Sequence, residues 1–212
     1  DCPIRHRAVC SSCTQDEIAV LEGMKFYRSY PAGKQVAWRG DELSIVASVV
    51  RGVASLSTQM EDGRKQMVGL LLPSDFYGRP GRQRALFDMT AATDLLLCCF
   101  HRKPFEAMMI ATPHVGQRLL SMTLDELDSA RDWMVLLGRK QARERIASLL
   151  SLLARRAAPH PDGLIDLPLT REAIADYLGL TFETVSRHFS HLRRDGIIAL
   201  QTSRQFRVLD AA

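Results

Sequence analysis

One segment limits the fold more than any other. Thr170-Arg171-Glu172-Ala173-Ile174-Ala175-Asp176-Tyr177-Leu178 reads as a short helix, because Thr170 is a good N-cap and Gly179 a good stop. Leu180-Thr181 makes a tight turn, Thr181 caps a second helix over residues 182–194, and Asp195-Gly196 ends it. Ile174, Leu178, Val185 and Leu192 fall where the two helices face each other. Glu183, Ser186 and Arg187 fall at i, i+3 and i+4 near the start of the second helix, on one exposed face. Residues 197–200 and 205–209 then predict two strands around a basic turn that carries Arg204. Taken alone, Glu183 and Arg187 spell only an ion pair on a solvated helix. With the preceding helix, the glycine turn and the hairpin, they predict a winged helix-turn-helix that reads double-stranded DNA. Arginine bridges guanine O6 and N7, glutamate accepts from cytosine N4, and serine lets the backbone come close. Thr170, Thr181, His188 and Arg204 complete the expected DNA-binding set, with His188 and His191 placed to meet phosphate rather than metal.

Charge agrees with this placement. The net charge of +4 sits entirely in residues 139–212, which hold 12 Lys and Arg against 8 Asp and Glu. A basic terminal module suits a polyanion. The chain has no apolar run near membrane-spanning length and no signal-like apolar region at Asp-Cys-Pro-Ile-Arg-His-Arg, so a cytoplasmic protein without a membrane partner is expected.

Upstream, residues 27–105 look strand-like, with runs at 44–50 and 66–72, glycine punctuation, and a hairpin signal at Glu61-Asp62-Gly63. Short strands with turns every ten residues or so predict a small barrel or jelly roll. Residues 115–137 predict one long helix. Leu119, Met122 (or Leu120), Leu127, Ala130, Met134 and Leu137 recur at spacings of three and four, as a homodimer seam does; an amphipathic helix lying on its own domain is the other reading. The fold class is therefore α+β. Its expected divisions are an N-terminal cysteine loop (1–20), a β-barrel (21–112), a dimerisation helix (113–138) and the winged helix-turn-helix (139–212).

Barrel, long helix and C-terminal winged helix, in that order, resemble the Crp/Fnr family of transcription regulators over the whole chain. Phe182-Glu183-Thr184-Val185-Ser186-Arg187 resembles the Fnr branch, since cyclic-AMP receptors carry Arg in place of Phe182 and Gly in place of Ser186. Leu70-Leu71-Leu72-Pro73-Ser74-Asp75-Phe76-Tyr77-Gly78 resembles the strand entering the family's nucleotide cassette. Phe76-Tyr77 stand near the receptors' Glu, and Ala85-Leu86 near their Arg-Ser pair, so the resemblance implies no cyclic-nucleotide binding; Arg79, Arg82 and Arg84 do not fit that pattern. Within that family the sequence resembles the FnrL/FnrN type of oxygen-responsive regulator.

The cysteines are Cys2, Cys10, Cys13, Cys98 and Cys99, an odd set that favours metal or redox chemistry over structural disulfides. The resemblance implies a [4Fe–4S] cluster on three N-terminal thiolates spaced C-x2-C-x7-C and one from the barrel's last strands. Cys2 and Cys10 give the x7 interval, Cys98 the distant ligand, and the remaining thiolate would lie upstream of Asp1 on a truncated N-terminus. Cys13 is the alternative, since it makes C-x2-C with Cys10; Cys99 is expected on the other face of its strand. Cys98 and Cys99 as small core residues, and His6 as a solvated side chain or a ligand, stay open. The resemblance further implies a dimer when the cluster is intact, half-sites like TTGAT and ATCAA, RNA polymerase as a partner, and control of anaerobic genes. The alternatives are a cluster-free regulator switched by cysteine oxidation, or one gated by a small ligand, with His101 as a candidate haem residue. No His-Asp pattern attends Cys98 or Cys99, so no enzyme is expected.

Overall fold

The computed structural model describes residues 2–63, 65–157 and 162–210. The chain falls into two compact units, residues 1–58 with 68–130 and residues 59–67 with 131–212. The first cysteine implied upstream of Asp1 lies outside the described residues. No described helix is long and apolar enough to cross a membrane.

The first unit begins with a 3-10 turn, Val9–Ser12, and helix α1, Gln15–Met24. A capping box starts α1: Thr14 N donates to Glu17 Oε2 at 2.7 Å, and Glu17 N donates back to Thr14 Oγ1. The described strands that follow are β1 (Phe26–Tyr30), β2 (Gln35–Ala37), β3 (Ile45–Arg51), β4 (Ala54–Gln59), β5 (Lys65–Leu71), β6 (Phe76–Tyr77), β7 (Asp88–Ala91) and β8 (Leu95–His101). They pair as two four-stranded sheets, β1-β8-β3-β6 and β2-β7-β4-β5, the jelly-roll sandwich that the strand spacing predicts.

Alternation along β3 and β8 builds two cores. Ile45, Ala47, Val49, Leu95, Leu97 and Cys99 point between the sheets, with Met89 and Ala91 of β7. Val46, Cys98 and Phe100 point the other way, into a second cluster with Val9, Leu21, Phe105, Met108 and Val115. A sheet covered on both faces explains why Leu95-Leu96-Leu97-Cys98-Cys99-Phe100 reads as an unbroken apolar run. The turn from β3 to β4 depends on Gly52 at φ +83°, where a Cβ would collide with the Asp94 carbonyl.

The strand-like reading through residue 105 is too long. The chain leaves β8 at His101 and forms α2, Arg102–Ala111, whose buried Arg102 donates from Nε to Leu43 O at 2.7 Å. Helix α3 spans Pro113–Arg139.

The second unit contains α4 (Ala142–Arg156), β9 (Ile165–Asp166), α5 (Arg171–Leu178), α6 (Phe182–Arg194), β10 (Ile198–Thr202) and β11 (Gln205–Val208), the strands ordered β10-β11-β9. Gln141 and Glu144 form the capping box of α4. Ile146, Leu149, Ile174, Leu178, Val185, Phe189, Leu192 and Phe206 are buried together as its core residues.

Candidate DNA-reading face and thiol pocket

The DNA-reading face rests on two locally specified helices. Thr170 Oγ1 accepts from Ala173 N at 3.1 Å and Thr181 Oγ1 from Thr184 N at 3.2 Å, so both hydroxyls are engaged as caps. Gly179 ends α5 in the left-handed region at φ +62°. Val185, Phe189 and Leu192 bury one face of α6 and leave Glu183 and Arg187 exposed on the other, with Ser186 half-buried between them. Behind them, Arg204 is exposed on the turn between β10 and β11, and its N–H donates to Thr202 Oγ1.

Several supports escaped the sequence reading. Arg145 donates to the carbonyls of Lys140, Leu178 and Leu137 at 2.9, 3.0 and 2.8 Å, tying the C-terminal ends of α3 and α5 together. Arg143 holds Asp195 at 2.7 Å, past the end of α6. The Arg171 guanidinium lies 3.3 Å from the Phe189 ring centroid, and burial lowers its pKa to about 10, with Arg204 adding to the fall. His188 is half-buried, edge-on to His191, with Nδ1 buried and unpartnered; burial and the positive charge of Arg187 hold its pKa below the usual range. None of these contacts has a spacing signature.

The thiol pocket lies in the first unit. Cys98 is 8% exposed on the outer face of β8, while Cys2, Cys10 and Cys13 are half-buried. Cys10 and Cys13 pack against the cluster that holds Cys98, whereas Cys99 points into the opposite core. Burial pushes the Cys98 thiol up to about 12; charge on Cys2, Cys99 and Cys10 adds to the rise, and Lys25 opposes it. Burial, then Cys2, raises the Cys10 thiol; burial, then Cys10 and Glu17, takes Cys13 to about 11. Cys2, Cys10 and Cys98 are thus within electrostatic reach of one another, and Cys13 is within reach of Cys10. Burial also takes Cys99 to about 11, yet its other perturbing groups are on Arg28. Among the described residues no three His, Cys, Asp or Glu side chains close around one point as a single-ion shell does. Thiols are the donor type that an iron–sulfur cluster takes.

Two ties hold the loop that carries these thiols. Arg118 Nη2 of α3 donates to Arg7 O at 2.6 Å, and His114 Nε2 meets Glu17 Oε2 at 2.7 Å. The Thr14-x-x-Glu17 box was the one sequence signal for α1.

Along α3 the expected seam residues lie in two settings. Leu119 and Met122 turn inward onto the Cys98 cluster, and Leu137 is half-buried. Leu120, Leu124, Leu127 and Met134 are exposed, Met134 to 72%, and Ala130 is exposed as well. The apolar periodicity of α3 serves two faces, and spacing alone merged them. On the barrel, Ala85 is buried and Leu86 exposed.

A jelly-roll barrel, a long helix and a C-terminal winged helix-turn-helix with an open polar recognition face define a DNA-binding transcription regulator. Residues 144–212 match the Crp-like helix-turn-helix domain, and residues 27–112 match the cyclic nucleotide-binding domain. The chain is 65% identical to the transcriptional activator protein FnrL of Cereibacter sphaeroides, over 100% of this chain and 88% of that protein. It is 38% identical to the nitrogen fixation regulation protein FixK of Bradyrhizobium diazoefficiens, over 94% and 85% of the two chains. The structure of FixK2 from Bradyrhizobium japonicum superposes with a TM-score of 0.81 at 34% identity, over 89% of this chain and 98% of that one. The chain belongs to the Crp/Fnr family of transcription regulators.

Proposed function

We propose that this chain is an oxygen-responsive activator that holds a [4Fe–4S] cluster on Cys2, Cys10, Cys98 and one further thiolate. One observation carries the reading: N-terminal thiols gather on the face of β8 that bears Cys98, and the adjacent Cys99 is turned away from them. Likeness to FnrL, an activator by name, supports it. When bound, the cluster supplies an oxygen-labile crosslink between the N-terminal loop and β8. The chain's own residues do the rest. Burial keeps the empty thiols protonated near neutral pH, so metal loading displaces protons. Arg118 and the Glu17–His114 contact pass the order of the loop to the start of α3. Leu120, Leu124, Leu127 and Met134 then pair with the same stripe of a second copy. Two copies of α6 about one DNA turn apart read a palindrome of the TTGAT and ATCAA type, Arg187 at guanine and Glu183 at cytosine, and the bound dimer engages RNA polymerase. Ala85 and Leu86 offer no charged grip for a cyclic nucleotide's phosphate.

The closeness of Cys10 and Cys13 supports a second reading, a cluster-free regulator in which these thiols are oxidised to a disulfide. Protein purified without air separates the two. The cluster reading expects iron and sulfide, a brown absorption lost in air, and palindrome binding lost with it. Metal-free protein whose DNA binding follows thiol oxidation would replace it with the second reading.

A further inference from the structure

Ser48 lies on β3 directly opposite Cys98, as the Cα partner of that residue in the β3–β8 ladder. On its other side it pairs with Phe76 of β6. Val46 and Val50, two residues to either side of Ser48, belong to the Cys98 cluster, so alternation points Ser48 to the same outer face. Ser48 is 3% exposed, and its Oγ is buried without a hydrogen-bond partner. A hydroxyl shut away from water unbonded is costly, and a buried orphan calls for an acceptor. The hydrophobic cluster on this face brings Val46, Val50, Phe76, Phe100 and Cys98 together around Ser48, while Tyr27 of β1 stands opposite Cys98 on its far side. Directly opposed residues hold their Cβ atoms about 4.5–5.5 Å apart, so rotation about one side-chain torsion aims Oγ–H at Cys98 Sγ.

We propose that Ser48 is a positioning residue for the thiol pocket, whose hydroxyl donates a hydrogen bond to Cys98 Sγ when that sulfur holds a metal. A neutral thiol is a poor acceptor, and the hydroxyl is left idle beside it. A metal-bound sulfur is a charged acceptor and takes the bond. The inference rests on the cluster reading, since hydrogen bonds to ligand sulfurs help to set a cluster's reduction potential.

Full-length protein and two variants, Ser48→Ala and Ser48→Thr, test this in two ways. In apoprotein, Ser48→Ala removes an unbonded polar group, so the thermal midpoint is expected to stay or rise; a clear fall would mean that the hydroxyl already has a structural partner, and would overturn the proposal. In anaerobically loaded protein, Ser48→Ala is expected to keep its iron while the reduction potential falls and the Fe–S(Cys) vibrations lose their shift in D2O; Ser48→Thr restores both. Loaded Ser48→Ala with the wild-type potential and the wild-type D2O shift would overturn the role of Ser48 alone, whereas wild-type protein that takes up no iron would end the cluster reading and the proposal with it.

Discussion

The recognition face of α6 and the thiol face of β8 are built in opposite ways. Around α6 most polar groups are exposed or engaged, with caps satisfied by Thr170 and Thr181 and Arg145 spread over three carbonyls; His188 Nδ1 and Arg171 Nη1 are buried exceptions. Its shape stands without a ligand. Around the outer face of β8 polar groups are more often buried: the thiols of Cys10, Cys13 and Cys98 raised by desolvation, and atoms without partners at Ser48 Oγ and Arg118 Nε. The proposed cluster would complete that face. A regulator needs both, a reading head of fixed shape and an input that is incomplete alone.

The largest expected effect separates the two faces of one strand. Cys98→Ser is expected to abolish iron in anaerobically prepared protein, since a hydroxyl is a poor soft-metal ligand, while Cys99→Ser keeps it. Equal loss in both would break the two-faced account of β8. Cys10→Ser should match Cys98→Ser; loss on Cys13→Ser alone would shift the loop register and keep the cluster.

Next in size is the seam. Leu127→Asp puts a carboxylate into the exposed apolar stripe, and sedimentation should find folded monomer even without oxygen. Leu119→Ala, by contrast, should weaken the thiol pocket and spare association at high concentration. A Leu127→Asp protein that stays dimeric would move the interface elsewhere.

The reading head itself answers to Arg187→Ala, expected to cost about 1–3 kcal/mol of specific binding and to relax the preference at one guanine. Arg204→Ala should weaken all sequences alike and flatten the salt dependence. Binding titrations on matched and mismatched sites check both.

Smaller still is the pH response of the second unit. His188 titrates below its ordinary 6.5 in the folded chain, so the unfolded chain takes up protons first as the pH falls. Stability is therefore present above that range and declines as the pH drops below it, and His188→Gln should flatten part of the decline. Urea midpoints from about pH 7 to about pH 5.5 test the sign. Smallest is Thr181→Ala, about 1 kcal/mol by the same measurement, with DNA affinity following.

What sequence alone made legible divides along the same line. The bounds of α5 and α6 follow from residues next to each other, Thr170, Gly179, Thr181 and Asp195-Gly196, and the structure reproduces them. The split between Cys98 and Cys99 follows from the period of a strand. The pocket does not, because it assembles residues far apart in sequence: Ser48 meets Cys98 only through the β3–β8 ladder, and Arg118 meets Arg7 only through folding. The expected division into a cysteine loop (1–20) and a barrel (21–112) has no helix where α1 runs over Gln15–Met24, although Thr14 and Glu17 spell its capping box. A helix with two apolar faces has one period for both, so spacing alone does not separate Leu119 and Met122, which pack on the Cys98 cluster, from the exposed Leu120 and Leu127.

Adjacent cysteines on β8 make the proposed sensor a matter of parity. A slip of one residue between β3 and β8 would exchange Cys98 and Cys99, sealing the proposed ligand inside the sandwich and turning its neighbour outward. Gly52, whose missing side chain lets the chain double back against Asp94, fixes the turn at the end of β3. On that reading a hairpin turn with no thiol of its own serves as the reading frame of the proposed sensor, and a protein altered there would go deaf with every cysteine intact.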